Sequence, residues 1–157
     1  MFKDGPVEGV TISPLSKYAD TRGWLVELFR KDELEGGESP PMSYISLTLP
    51  GVSRGPHEHE YQSDYFCFIG ASDFRIFAWD NREDSPTFRN RMVFELKAGS
   101  PSSVIIPPKV VHAYKNIGSG EGLVINFPDR LFRGVGKREP VDETRYEDEA
   151  DSEFIIE

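Results

Sequence analysis

The sequence predicts an all-β fold, a sandwich or barrel, and three observations lead there. Twelve prolines and fourteen glycines punctuate the chain, and no segment keeps a 3.6-residue apolar period. Short runs rich in aromatic and β-branched residues lie between these turn signals at the spacing of successive strands. Several runs alternate, as in Phe74-Arg75-Ile76-Phe77-Ala78-Trp79, the period of two that sends successive side chains to opposite faces of a sheet.

From the N-terminus, strands are expected at Trp24 to Phe29, Met42 to Leu49, Tyr65 to Ile69, Phe74 to Trp79, Arg91 to Leu96, Val104 to Ile106 and Leu123 to Phe127. Glu33 to Pro41, rich in Glu, Gly and Pro, reads as an exposed loop, and Asp80 to Arg89 as a long turn in which Arg82 is structural. Helix is expected only at Lys31 to Leu34 and in part of the C-terminal tail. Trp24, Trp79, Phe66 and Phe68 are assigned to the core. Cys67 lies inside the apolar run Tyr65-Phe66-Cys67-Phe68-Ile69 and is the only cysteine, so it reads as a buried thiol with no disulfide partner in the chain.

At 157 residues the chain is long enough for one core without disulfide staples, and residues 1–157 are expected to form a single domain. No signal peptide or membrane-spanning stretch is evident, so a soluble, cytoplasmic protein is the expectation. The net charge is -9. Val141 to Glu157 carries eight acids against Arg145 alone and is expected to be a solvated acidic tail, with Phe154-Ile155-Ile156 docking as an edge strand. This balance excludes a general nucleic-acid binder, which needs a basic face to displace counterions.

All three histidines fall in two short motifs, Arg54-Gly55-Pro56-His57-Glu58-His59 and Pro107-Pro108-Lys109-Val110-Val111-His112. Imidazole is the usual side chain for proton transfer or metal ligation near neutral pH, so the clustering marks a candidate active site. On an extended strand His57 and His59 share a face. With Asp64 and His112 converging on them, the set His57, His59, Asp64 and His112 would suit a first-row divalent metal with open positions.

The spacing resembles the two motifs of the cupin superfamily. The first is Gly51, His57-x-His59, Asp64 and Gly70; the second is Pro107-x-Lys109-x-x-His112-x-x-x-Asn116. Lys109 stands where glycine is usual, Asp64 where glutamate is usual, and Gly70 lies one residue early. The resemblance implies a double-stranded β-helix, or jelly roll, with the site inside the barrel. A narrower resemblance runs from about residue 10 to 115. Ile12-Ser13-Pro14-Leu15, Asp20-Thr21-Arg22-Gly23-Trp24-Leu25-Val26-Glu27, Gly51 to His57, Asp80 to Thr87 and Ile106 to His112 are similar to the dTDP-4-dehydrorhamnose 3,5-epimerase family. That family implies a homodimer acting without a metal or other cofactor on a nucleotide-linked 4-keto-6-deoxy sugar, with neither nucleic acid nor membrane as partner.

In such a sugar the ketone acidifies the neighbouring C–H bonds, so a base and an acid suffice to epimerise it. The resemblance implies His57 as base, and Arg22 and Arg54 on the diphosphate through bidentate forks. Glu27 would hold the nucleotide or order Arg22, and Gln62, beside the histidines, is a further candidate substrate contact. Other family features find no match: a lysine shortly after the base, a tyrosine on the strand after the second motif (here Asn126-Phe127-Pro128-Asp129-Arg130), and a C-terminal aspartate paired with the base. Arg-Gly-x-His-x-His also resembles the sugar 3,4-ketoisomerases. That resemblance implies that His59 and Tyr44 relay protons, with His112 in support. Two alternatives stay open: a metal-dependent cupin, such as a dioxygenase or small-acid isomerase, and a non-catalytic sugar-binding cupin.

Overall fold

The computed structural model describes residues 1–34 and 39–157; the part of the expected 33–41 loop at 35–38 lies outside the described residues. In chain order the strands are β1 Lys3–Asp4, β2 Thr11–Pro14, β3 Lys17–Asp20, β4 Gly23–Val26, β5 Tyr44–Thr48, β6 Ser53–Glu58, β7 Asp64–Phe68, β8 Phe74–Asp80, β9 Asn90–Leu96, β10 Ser102–Ile106, β11 Val110–Asn116, β12 Gly122–Asn126 and β13 Thr144–Arg145. Helix among the described residues is confined to two single 3-10 turns, Lys31–Glu33 and Val135–Lys137. None is long and apolar enough to cross a membrane.

The strands form the two facing sheets of a jelly roll. One has the order β1-β9-β8-β11-β6-β13 and the other β2-β10-β7-β12-β5, with β3 and β4 making a separate hairpin. The interior between the sheets is apolar. Phe74, Ile76 and Ala78 of β8 and Val110 and Tyr114 of β11 meet Phe66 and Phe68 of β7, Val104 and Ile106 of β10, and Val124 of β12. The alternate residues Phe77, Trp79, Val111 and Ala113 point to the outer face, where Phe154 covers them. β8 is thus buried on both sides, which its almost unbroken apolar sequence requires.

Most acids of the tail are exposed, as a solvated segment requires, but its edge strand lies elsewhere than expected. β13 pairs with β6, Thr144 opposite Glu58 and Arg145 opposite His57, and Tyr146 Oη donates to Glu58 Oε1 at 2.6 Å. Phe154 is 5% exposed; burying such a ring stabilises by about 1.5–3 kcal/mol, enough to hold an acidic segment against a sheet. The edge strand is therefore Thr144–Arg145, while Phe154-Ile155-Ile156 docks without strand structure, and the tail holds no helix. Trp24 is also not core. It sits on β4 at 52% exposure, because the β3–β4 hairpin pairs only with itself and stands off the barrel. Trp79, Phe66, Phe68 and Cys67 are buried, and burial pushes the Cys67 thiol up to about 12.

The turn after β8 is built around Asp80, whose side chain is fully buried. It accepts from Arg82 Nε at 2.8 Å and from the hydroxyls of Ser85 and Thr87. Burial alone would raise this carboxyl, but these donors outweigh it and hold it near 2. Arg82 is structural, as its place in the motif suggested.

Candidate active site

The motif Arg54-Gly55-Pro56-His57 works because β6 bulges. On β11, His112 and Tyr114 are two residues apart and share a face; their partners on β6 are His57 and Arg54, three apart. One extra residue on β6 absorbs the mismatch and restores Arg54 and His57 to a common face. Gly55 makes this possible at φ +83°, and a Cβ there would lie 2.5 Å from the main-chain oxygen of His112. The second motif is tied to the first by Lys109, whose N–H donates to the His59 carbonyl at 2.7 Å. Lys109 adopts φ +61°, the left-handed conformation that glycine takes most cheaply.

These strands bring His57, His59 and His112 into one cluster. Ring centroids are 4.5 Å apart for His57 and His112, 5.5 Å for His57 and His59, and 5.8 Å for His59 and His112. Asp64 lies beneath them at 1% exposure. Its Oδ2 is 3.1 Å from His59 Nε2 and 3.3 Å from His112 Nε2. Its Oδ1 accepts from Gln62 Nε2 at 2.9 Å and Asn126 Nδ2 at 2.7 Å. Burial by itself would raise Asp64, but the imidazoles of His112 and His59 reverse this and hold the carboxyl well below the usual range. Asn126 also donates to the Tyr44 hydroxyl at 2.9 Å. A chain of polar contacts therefore runs from Tyr44 through Asn126 and Asp64 to His59, with His112 packed beside Asp64.

The three imidazoles are not equivalent. His57 makes no side-chain hydrogen bond among the described residues. Its burial, then the neighbouring His112 and His59, push its pKa down to about 2, so it is a neutral ring with one unprotonated nitrogen. His59 Nδ1 faces the Asp142 carbonyl and Nε2 faces Asp64, two acceptors that suit a protonated ring. Burial would lower His59, but Asp64's hydrogen bond and charge, the Asp142 carbonyl and the charge of Glu143 raise it to about 9. His112 donates from Nδ1 to the Val110 carbonyl at 3.0 Å, and its buried Nε2 makes no aligned hydrogen bond. Tyr44 rises to about 12, chiefly by burial and next by the charge of Asp64.

The same residues fit a divalent metal. One donor atom from each of His57, His59, Asp64 and His112 lies within 4.8 Å of the others. His59 and His112 both turn Nδ1 onto a main-chain carbonyl, the outer support that metal-bound imidazoles use, and the orphaned Nε2 of His112 is a ready ligand.

A cleft of about 910 Å³ opens over Tyr44, His59, Tyr61 and Gln62, a size suited to a small organic ligand. Its far wall is the 128–143 segment, with Arg130, Arg133 and Lys137. Asp142 holds the histidine motif in place. Its carboxylate accepts the N–H groups of Glu60, Tyr61 and Gln62 at 2.8, 3.0 and 3.0 Å. Sequence reasoning passed over Asp142 and Asn126. Asp142 is one acid among eight in the tail, and Asn126 lies where the family resemblance expects a tyrosine.

The other expected substrate contacts are placed differently. Arg22 is exposed on the hairpin and pairs with Asp20, while Glu27 pairs with Arg30 at 3.6 Å. Glu27 therefore does not order Arg22, and neither residue lines the cleft. Arg54 shares the His57 face, but Nε donates to Thr48 Oγ1 at 3.0 Å and Nη2 to the Leu47 carbonyl at 2.8 Å. Gln62 lines the cleft yet spends its amide on Asp64.

The sequence model of the family described as dTDP-4-dehydrorhamnose 3,5-epimerase matches residues 4–124, most of the chain. The chain belongs to this family. Membership makes it an enzyme of the sugar-nucleotide epimerase group with a nucleotide sugar as its class of ligand. The probable low-salt glycan biosynthesis epimerase of Haloferax volcanii is 40% identical over 128 residues, covering 80% of this chain and 81% of its own. A spore coat polysaccharide biosynthesis protein of Bacillus subtilis is 34% identical over 121 residues, 77% of this chain and 79% of its own. Among solved structures, a dTDP sugar isomerase from Desulfovibrio desulfuricans superposes with a TM-score of 0.79 at 21% identity, covering 96% of this chain and 91% of that one. That likeness shows the shared fold.

Proposed function

We propose that the protein epimerises or isomerises a nucleotide-linked 4-keto-6-deoxy sugar, dTDP-linked as in its family, for glycan or polysaccharide biosynthesis. His57 removes a proton next to the ketone and Tyr44 returns one. The observation that carries this reading is the link from the Tyr44 hydroxyl through Asn126 and Asp64 to the histidines, with a neutral His57 beside them. Because Tyr44 accepts from Asn126, its own proton is free to be given to a carbanion. The imidazolium formed on His57 is made next to an enolate of opposite charge, and that attraction offsets the burial which keeps the resting ring neutral. His59, facing two oxygen acceptors, supplies the positive charge an enolate needs, the role for which the resemblance found no lysine. The relatives named for glycan and spore coat polysaccharide biosynthesis support the pathway class.

The reading includes a homodimer. Arg22 and Glu27 sit on or beside a hairpin that carries exposed Tyr18, Trp24 and Leu25, an apolar edge suited to a second copy. Arg22 would then serve the partner's cleft, and light scattering should give twice the chain mass.

A second reading is favoured by the orphaned Nε2 of His112. His57, His59, Asp64 and His112 would hold a divalent cation, which when bound would polarise the ketone of the sugar. Elemental analysis of tag-free protein prepared without chelator separates the two, since stoichiometric metal would displace the metal-free reading.

The test of the main reading is proton NMR of dTDP-4-keto-6-deoxyglucose in D₂O. Deuterium is expected at carbon 3, carbon 5 or both, and the product couplings separate epimer from ketoisomer. Exchange no faster than in an enzyme-free control would overturn it.

A further inference from the structure

The cleft opposite Tyr44 and His59 is walled by a segment with an unusual charge. From Arg130 to Arg138 the chain carries Arg130, Arg133, Lys137 and Arg138 with no acid between them, in a protein of net charge -9. Most other arginines are spoken for: Arg22, Arg30, Arg75, Arg82, Arg89, Arg91 and Arg145 all pair with carboxylates. None of the four cations of the segment makes an ion pair among the described residues. Four adjacent cations left without carboxylates repel one another unless an anion is brought in.

The arrangement is built rather than splayed. Arg130 donates from Nε to the Tyr61 carbonyl at 3.0 Å, and Arg133 from Nε to the Glu139 carbonyl at 3.2 Å. Each guanidinium is anchored by its inner nitrogen, so the two outer nitrogens form a free fork of the shape that grips phosphate oxygens. The Phe132 N–H donates to Met42 Sδ at 3.1 Å. Gly134 at φ +65° and Gly136 at φ +67° turn the chain between them. The carboxylates that share the cleft are mostly occupied. Asp129 accepts the Ser63 N–H, Asp142 accepts three N–H groups, and Glu143 pairs with Arg145, leaving Glu139 beside Gly134.

We propose that Arg130, Arg133 and Lys137 form the diphosphate-binding wall of the cleft, holding the nucleotide so that its sugar reaches Tyr44 and His59. This rests on the reading of the substrate as a nucleotide sugar. These cations lie on a segment beyond the 4–124 family match, in a cleft that Arg54 does not line.

The test is calorimetric titration of wild type and the double variant Arg133→Ala/Lys137→Ala with dTDP, thymidine and inorganic pyrophosphate, alongside the D₂O exchange assay. Both side chains are exposed, so thermal unfolding of the variant should match wild type. The variant should bind dTDP at least about tenfold more weakly, with thymidine binding unchanged and a shallower salt dependence. Arg133→Lys should recover part of the loss. If wild type binds dTDP and the variant binds it equally well, the assignment of the wall is wrong while the proton-transfer reading survives. If wild type binds pyrophosphate but not dTDP, and the variant loses it, the anion site stands and the nucleotide reading falls. Binding of neither anion by wild type would overturn the wall itself.

Discussion

Replacing Gly55 by alanine tests the link between backbone and chemistry most directly. The substitution adds one methyl group at φ +83°, where it meets the main-chain oxygen of His112 at 2.5 Å. A left-handed conformation costs an L-residue about 1–2 kcal/mol, and forcing an extra carbon against a packed backbone costs about 1–3 kcal/mol more. The sum, roughly 2–5 kcal/mol, is a large share of a typical domain's stability. For a chain of this size it corresponds to a fall in Tm of about 5–15 °C, read by calorimetry. The atoms that must give way are the His112 carbonyl and the β6 backbone between Arg54 and His57. Even at a temperature where the variant is folded, His57 and His112 should therefore be displaced. A misplacement of about 1 Å can cost on the order of 10²-fold in rate, so deuterium exchange should fall accordingly. A variant whose Tm lies within about 2 °C of wild type and whose exchange is unchanged would refute the bulge as the device that aligns the site.

Other expectations follow from the same geometry. Asp142→Ala removes an acceptor from three N–H groups and should cost about 2–4 kcal/mol; Asp142→Asn should recover part of this, and exchange should fall in step as the His59 turn loosens. His57→Asn should abolish exchange. Tyr44→Phe should leave proton removal measurable while product formation drops about 10²–10⁴-fold, and equal loss of both steps would reject Tyr44 as the acid. Asp80 has a folded pKa near 2 against an ordinary 3.8. Its contribution, about 2 kcal/mol, is present above about pH 4 and lost as pH falls towards 2. Asp80→Asn should flatten that part of the Tm profile. Lys109→Gly should raise stability by about 1 kcal/mol, since it relieves the left-handed conformation and gives up only the exposed pair with Glu60; a fall in Tm would contradict this.

The strands that could be read from sequence are those whose residues carry the evidence themselves. β7, β8, β10 and β12 are apolar runs or clean alternations. β11 escaped because Val110–Asn116 mixes apolar residues with His112 and Asn116, both buried. Asn116 earns its burial only through distant partners, donating to the carbonyls of Thr48 and Gly120 and accepting from Ser72. β6 is absent from the expected strands because Gly55 and Pro56 interrupt any apolar run, and only pairing with β11 and β13 makes it a strand. The histidine cluster was legible because three histidines in two motifs leave few arrangements. The division of labour among them was not, because it depends on which ring nitrogen meets a carbonyl supplied from elsewhere in the fold.

The tail shows why that gap matters for function. Composition marks it as a solvated acidic segment, yet Asp142 and Phe154 act through partners far away in the chain: Glu60, Tyr61 and Gln62 for the first, Trp79 for the second. An acid in a run of acids gives no local sign that three N–H groups await it. The family match ends at residue 124, and the chain after it still reaches the site. Here it contributes the Asp142 clamp on the histidine motif, the carbonyl that faces His59, and the basic wall at Arg130, Arg133 and Lys137. Tyr44 and His59 of the barrel line the cleft that the segment after β12 encloses, and His57 packs against His59 just behind that lining.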